Sequence, residues 1–182
     1  MSKTKLLITL LIFSCSLNTF SQHQTELNDH ENAHKLTVVM AHAHIPTALD
    51  DNKNLIVPVW GFNYDYVFHH RWGAGIHSEL VLQQFKIEDG DEENELIREN
   101  PVSLCGVITF KPHHKWTILS GGGVELETKE NIAVVKFGVE YGIELINDWE
   151  LGLSAELDHK INTYSSWMFG VGFSKLLYSK SE

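Results

Sequence analysis

The sequence predicts an all-β chain whose eight antiparallel strands are connected up-and-down and closed into a transmembrane β-barrel. The first observation is a side-chain period of two in eight separate stretches, which is the pattern of β-strands. The second is that one face of these stretches is apolar and aromatic, whereas the other carries charges and glycine. The third is that short and longer connections alternate along the chain, as expected when all short turns lie at one end of a barrel.

The first 21 residues have the layout of a secretory signal peptide. Lys3 and Lys5 precede the apolar run from Leu6 to Phe13, and small and polar residues follow as far as Ser21. We therefore predict a signal peptide over residues 1–21 and export of the remainder. A lipoprotein signal, with Cys15 as the lipidated residue, is the alternative.

The charge of the chain excludes some partners. The formal net charge is −10, and removal of the signal peptide takes away two lysines and no acid, so the mature chain is more acidic still. A nucleic-acid partner is therefore not expected. Cys105 is the one thiol that remains after cleavage at Ser21, so no internal disulfide is expected. No later stretch approaches the ~20 apolar residues of a spanning helix.

Residues 22–35 form a polar, His-containing leader without a period, and the alternation begins at residue 36. The first predicted strand, 36–45, has an apolar face and an opposite face that carries His42 and His44. The second strand, 55–68, follows a loop and has a large apolar or aromatic group at every second position. These positions are Ile56, Pro58, Trp60, Phe62, Tyr64, Tyr66 and Phe68. The third, 72–83, begins after only three residues.

The longest connection, 86–101, is strongly acidic and is predicted to be a loop. Five more strands follow it, and they are predicted at 102–111, 116–127, 132–145, 149–158 and 167–174. Apolar residues alternate in them with glycine and charged residues, most clearly over 132–145. The barrel domain is predicted over 36–178, with a short tail at 179–182.

Three features indicate that the charged face lines the interior, and they disfavour a soluble lipocalin-like barrel with an apolar interior. Ten of the thirteen glycines lie on the charged face, and the interior of an eight-stranded barrel has little room for side chains. Trp72, Trp116 and Trp149 each open a strand after a short turn and lie on the apolar face, as in an interfacial aromatic girdle. The apolar face also has no charged residue before Lys175, and a Lys or Arg at the bilayer midplane would cost about 2–4 kcal/mol.

With this pattern the chain resembles the eight-stranded bacterial outer-membrane proteins of the OmpX, OmpW and OmpA-membrane-domain type, over essentially all of Leu36 to Leu177. The leader end Phe20-Ser21-Gln22 also resembles leaders of the Bacteroidota. The resemblance implies a monomer in the outer membrane of a Gram-negative bacterium, in contact with outer-membrane lipids and lipopolysaccharide. It also implies insertion by the barrel-assembly machinery, which in this family reads an aromatic residue at the end of the last strand. Here Phe173 is followed by SKLLYSKSE, so either Tyr178 takes that role or the signal is degenerate.

The charged face supplies the candidate functional residues. Its lumenal polar network is predicted to include Asp65, Glu125, Lys136, Glu140 and Glu156. The expected role is structural, since charges in a narrow lumen must be paired or hydrogen-bonded. Carboxylates outnumber lysines on this face, so some are protonated, or histidines are charged, or a cation is bound.

A divalent metal site is a second hypothesis for the lumen. His42 and His44 share one strand face, and His77 with Glu79 shares another, which offers nitrogen and oxygen ligands suited to Zn²⁺. No cofactor is otherwise expected.

Enzyme activity is a third hypothesis and is not the favoured one. Asp158, His159, Ser165 and Ser166 cluster around the last outer loop, where lipid-modifying barrel enzymes place a nucleophile and a base. The spacing matches no hydrolase motif. The sequence therefore predicts a small integral outer-membrane protein with a packed polar lumen and a structural or interaction role at the cell envelope.

Overall fold

The computed structural model describes residues 32–46, 54–88, 95–128 and 130–178. The predicted signal peptide, residues 22–31 of the leader and the tail at 179–182 lie outside the described residues. The first strand begins at Ala33, inside the stretch predicted as leader. No helix of the described part is long and apolar enough to cross a membrane.

Eight long strands close into an antiparallel barrel, which confirms the predicted fold class. They are β1 (Ala33–Pro46), β2 (Asn54–His69), β3 (Trp72–Val81), β6 (Val102–His113), β7 (Trp116–Leu126), β8 (Ile132–Glu144), β9 (Trp149–Lys160) and β10 (Ser165–Tyr178). Around the barrel the order is β1-β10-β9-β8-β7-β6-β3-β2. The first and last strands close it, with pairing from Ala33↔Tyr178 to His44↔Trp167. Because β1 begins beside the β2–β3 turn, the N-terminal end of the barrel and the short turns share one rim.

The acidic connection contains a hairpin that the sequence analysis missed. Strands β4 (Phe85–Glu88) and β5 (Glu95–Arg98) pair antiparallel within the stretch predicted as a loop. Phe85 and Ile87 are buried against an apolar cluster at the barrel's outer mouth. Each strand is only four residues long and lies beside acidic residues. The alternation of the side chains therefore covers too few residues to be recognised in the sequence.

The outer surface of the barrel is apolar, as predicted for lipid contact. Large hydrophobic residues are exposed along every barrel strand; examples are Phe62 on β2, Ile76 on β3, Ile108 on β6, Phe137 on β8 and Phe169 on β10. The charged face lines the lumen on the strands whose faces were predicted, with the exception of β1. All ten glycines predicted on that face point inward or lie half-buried there.

The prediction for β1 was wrong, because the face predicted to lie outside faces the lumen and the face predicted to line the lumen lies outside. His42 and His44 point outward, and the ring of His44 meets Phe169 edge to face at 5.6 Å. The inward residues near the outer mouth are the apolar Ala41, Ala43 and Ile45. The prediction assumed a polar lumen along its whole length, but the lumen is apolar where β1 meets the hairpin.

Gly75 shows how narrow the interior is. A Cβ at this position would meet the Oδ1 of Asp65 and the backbone oxygen of Tyr64. Asp65 lies directly across from Gly75 in the β2–β3 register and turns towards His77. Glycine at 75 therefore makes the room that a buried carboxylate of the neighbouring strand occupies.

Candidate functional site

The filled lumen and its outer mouth form the candidate site, and their charges fall into three clusters. The lowest cluster lies near the rim of short turns. Lys35 of β1 reaches across the lumen to Glu140 of β8 at 2.7 Å and to Glu150 of β9 at 2.5 Å. All three side chains are largely buried, so this cluster joins opposite walls of the barrel.

Lys136 is the centre of the middle cluster. Its Nζ lies 2.5 Å from Glu79, 2.7 Å from Asp158 and 3.1 Å from Glu156, and the lysine side chain is fully buried. These carboxylates come from β3 and β9, on either side of the lumen. A single ammonium group therefore holds three carboxylates and two walls together.

His77 and Asp65 form a separate buried pair beside the middle cluster. The Nε2 of His77 lies 3.2 Å from Oδ1 of Asp65. The two residues come from β3 and β2, which are neighbours, so this pair links adjacent strands rather than spanning the lumen.

The uppermost cluster closes the outer mouth. Arg98, carried by the hairpin, donates to Glu125 from Nε at 3.0 Å and from Nη2 at 2.6 Å, and to Glu127 from Nη1 at 3.1 Å. It also donates to the backbone oxygen of Glu130 at 2.9 Å. The Arg98 side chain has no exposed surface. Nε and Nη2 both donate to Oε1 of Glu125, so these charge-assisted bonds fix the orientation of the guanidinium as well as neutralising the carboxylate.

Tyr164, in the connection between β9 and β10, completes the upper cluster. Its hydroxyl donates to Glu125 at 2.8 Å, and its ring meets Phe85 edge to face. Burial, with a further contribution from the Glu125 carboxylate, raises the pKa of the Tyr164 phenol, so the group stays protonated and remains a donor. Below it, Lys160 donates to Ser166 at 2.6 Å and lies 3.4 Å from Asp158.

The five residues of the predicted lumenal network lie on the inner face, and their role as a network stays a prediction; several of their contact partners were not predicted. Asp65, Glu125, Lys136, Glu140 and Glu156 all face the lumen. The residues that were not predicted are Lys35, Arg98, Glu150, Lys160 and Tyr164. Lys35 was assigned to the leader and Arg98 to a solvated loop, so periodicity gave no reason to place either inside. The apolar pair Leu96-Ile97 directly before Arg98 is the one sequence signal for a short strand here.

The four residues of the metal hypothesis do not come together. His42 and His44 lie on the outer surface, whereas His77 and Glu79 lie in the lumen and contact Asp65 and Lys136. Among the described residues no group of three or more His, Cys, Asp or Glu is arranged to hold a metal ion. The prediction of one site made from these four residues is therefore wrong, because it depended on the reversed face of β1.

The candidate catalytic cluster is divided by the barrel wall. His159 and Ser165 pair across β9 and β10 on the outer surface, with Nδ1 and Oγ 2.9 Å apart. Asp158 and Ser166 point into the lumen, where both contact Lys160. The outward pair thus has no neighbouring carboxylate from this cluster.

The three predicted girdle residues lie on the outer surface at the rim of short turns. Each packs against an aromatic residue of the adjacent strand: Trp72 against Phe110, Trp116 against Tyr141 and Trp149 against Phe173. Ring centroids are 4.5–5.0 Å apart in these pairs. A membrane-interface role for the three tryptophans stays a prediction. Their common height on the barrel is consistent with that role.

Comparison with known proteins shows the fold. No protein-family model matches the chain. No curated protein matches it by sequence. Among solved structures, Ail of Yersinia pestis in complex with the heparin analogue sucrose octasulfate is similar at 14% identity, covering 79% of this chain and 99% of Ail, with a TM-score of 0.52. Neisserial surface protein A is similar at 8% identity, covering 80% of this chain and 99% of that chain, with a TM-score of 0.54.

These likenesses extend over the whole barrel of each solved structure. The architecture shared with Ail and Neisserial surface protein A, together with the apolar outer surface, supports the outer-membrane localisation predicted from the sequence. At these identities the likeness establishes the fold, the closed eight-stranded outer-membrane barrel, and no residue role is carried over.

Proposed function

We propose that the protein is a non-conducting barrel of the bacterial outer membrane with a structural or interaction role at the cell envelope. The observation that carries this proposal is Arg98, which extends from an extramembrane hairpin into the mouth and has no exposed surface. Phe85 and Ile87 of the same hairpin pack on the apolar upper lumen. A barrel closed in this way supports a binding or structural role better than solute passage.

The three ionic clusters support the same role. Lys35, Lys136 and Arg98 each span the lumen or its mouth and contact carboxylates from at least one other strand. Side chains therefore cross the described part of the lumen at three heights, in a barrel whose interior is only wide enough for side chains to fill. The proposal also includes four predictions: contact with lipopolysaccharide, insertion by the barrel-assembly machinery, a monomeric state and an origin in the Bacteroidota.

The ligand of Ail is not proposed for this chain. The Ail structure contains a heparin analogue, which is a polyanion. Here the connection that carries the hairpin is itself rich in Asp and Glu, so it would repel a polysulfated ligand. The charge of this connection instead suits a cationic partner.

Planar-bilayer conductance tests the proposal. The folded wild-type protein is expected to show no steady conductance, and Arg98→Ala is expected to stay closed as well, because the Lys35 and Lys136 clusters still cross the lumen below the mouth. Glu99→Ala is the matched control, since Glu99 is exposed and, within the described part of the connection, accepts a surface hydrogen bond from Gln84. A stable open level in the wild type would contradict the proposal.

Hydrolysis of an acyl ester at the outer leaflet is a second candidate function. The favouring observation is the pair of His159 and Ser165, which has nucleophile–base geometry on the lipid-facing surface near the outer rim. If it acts, wild-type protein in detergent should be labelled at Ser165 by a fluorophosphonate, and Ser165→Ala and His159→Gln should not be. Equal labelling of wild type and Ser165→Ala would eliminate this candidate.

A further inference from the structure

Two short turns of the barrel repeat the same four-residue pattern. One is His69-His70-Arg71-Trp72 and the other is His113-His114-Lys115-Trp116. We call them the twin turns. The function proposed above uses neither of them.

The repeat extends to the geometry. In each turn the first histidine pairs with the tryptophan across the hairpin, directly after a shift in strand register. In each, the two imidazole rings lie 3.9 Å apart between centroids, tilted by 42° and 43°. The same residue types therefore build the same local structure twice.

The twin turns lie side by side on one rim of the barrel. Strands β3 and β6 are neighbours, and the backbone N–H of Lys111 donates to the oxygen of Arg71 at 2.8 Å. All eight residues of the twin turns are exposed. They form one continuous surface rather than two isolated loops.

This surface is cationic and is placed at a lipid boundary. Arg71 and Lys115 supply permanent positive charge, and the eight residues include no carboxylate. Slight burial, His113 and Lys115 lower the pKa of His114 against an opposing effect of the Glu144 carboxylate, so its imidazole is mainly a neutral donor near pH 7. Trp72 and Trp116 lie on the lipid-facing side, at the height that indole rings prefer.

We propose that the twin turns bind the phosphate headgroup of anionic phospholipids in the periplasmic leaflet, since the short turns of outer-membrane barrels lie on the periplasmic side. Guanidinium, ammonium and imidazole N–H groups are the donors that phosphate oxygens take, and the adjacent tryptophans place them where those headgroups lie. The proposal rests on the membrane location proposed above and names a lipid class for one rim.

The third short turn between barrel strands provides the control. There Lys175 contacts the backbone oxygen of Asn147, the carboxylate of Asp148 and the face of Trp149. Its charge is thus balanced within the protein. A lysine at the same height and beside the same kind of ring should contribute little to lipid binding.

The test is native mass spectrometry of the mature protein, folded in detergent and titrated with phosphatidylglycerol or phosphatidylcholine of equal chain length. We expect the wild type to retain phosphatidylglycerol preferentially. The Arg71→Gln, Lys115→Gln double variant should lose about 25-fold in that preference, about fivefold for each basic residue. Lys175→Gln should match the wild type, and inorganic phosphate should compete only weakly because it lacks the acyl chains.

Four results would overturn the inference. The first two are equal retention of the two lipids by the wild type and an unchanged preference in the double variant. The third is an equal loss in Lys175→Gln, which would indicate general electrostatic attraction, and the fourth is complete competition by inorganic phosphate, which would show an anion site that is not a lipid site. A heat-modifiable gel shift confirms folding of each variant, so a barrel that folds and inserts without lipid preference refutes this inference and leaves the proposed function intact.

Discussion

Replacing Arg98 with alanine is expected to release the β4–β5 hairpin and to destabilise the outer mouth by about 3–5 kcal/mol, because it leaves buried carboxylates without their cation. The side chains of Glu125 and Glu127 are each only 1% exposed, so neither gains water in exchange. Tyr164 still donates to Glu125, but one neutral donor does not replace the two charged N–H donors of the guanidinium.

Limited proteolysis measures this release. The connection around the hairpin should be cleaved at least tenfold faster in Arg98→Ala than in the wild type, while the barrel core stays resistant. Arg98→Lys should lie between them, since lysine keeps the charge but cannot reproduce the planar set of N–H donors that contacts both Glu125 and Glu127. Adding Glu125→Gln to Arg98→Ala should recover part of the protection. Wild-type resistance in Arg98→Ala would show that Phe85 and Ile87 hold the hairpin without the ion pair.

Arg98 also shows where sequence reasoning ended. The barrel was predictable because a side-chain period of two repeats over long strands. The positions of the glycines and tryptophans then distinguish the inner face from the outer one. The hairpin has four-residue strands within an acidic stretch, so each strand was too short for its alternation to be recognised. Its inward arginine is explained only by Glu125 and Glu127, which lie more than 25 residues away along the chain.

The histidines of β1 show a second limit. Alternation fixes which residues share a face, but it does not fix which face is inside when both carry small or moderately polar residues. The alternation predicted that Ala41 and Ala43 face lipid and that His42 and His44 face the lumen. The structure reverses them because the hairpin makes the upper lumen apolar there. One missed element therefore caused the wrong orientation and, with it, the unsupported metal site.

Removal of Lys136 should have the largest effect on the barrel itself. Its Nζ lies within 3.1 Å of carboxylate oxygens on Glu79, Glu156 and Asp158, and its side chain is fully buried. Lys136→Met keeps most of the volume but leaves three carboxylates facing one another in a narrow lumen. Since removal of one partner of a buried pair already costs about 3–5 kcal/mol, this variant is expected to refold poorly or not at all.

The heat-modifiable shift on gels, followed against urea concentration, measures the loss. Lys136→Met should show little folded band where the wild type is fully folded, and Lys175→Met should behave as the wild type because Lys175 is at the surface. The decisive variant combines Lys136→Met with Glu79→Gln and Glu156→Gln, which removes two of the three charges at nearly constant volume. Recovery of folding in that triple variant would establish that the lysine acts by balancing charge, whereas failure to recover would assign its role to the geometry of its hydrogen bonds across the lumen.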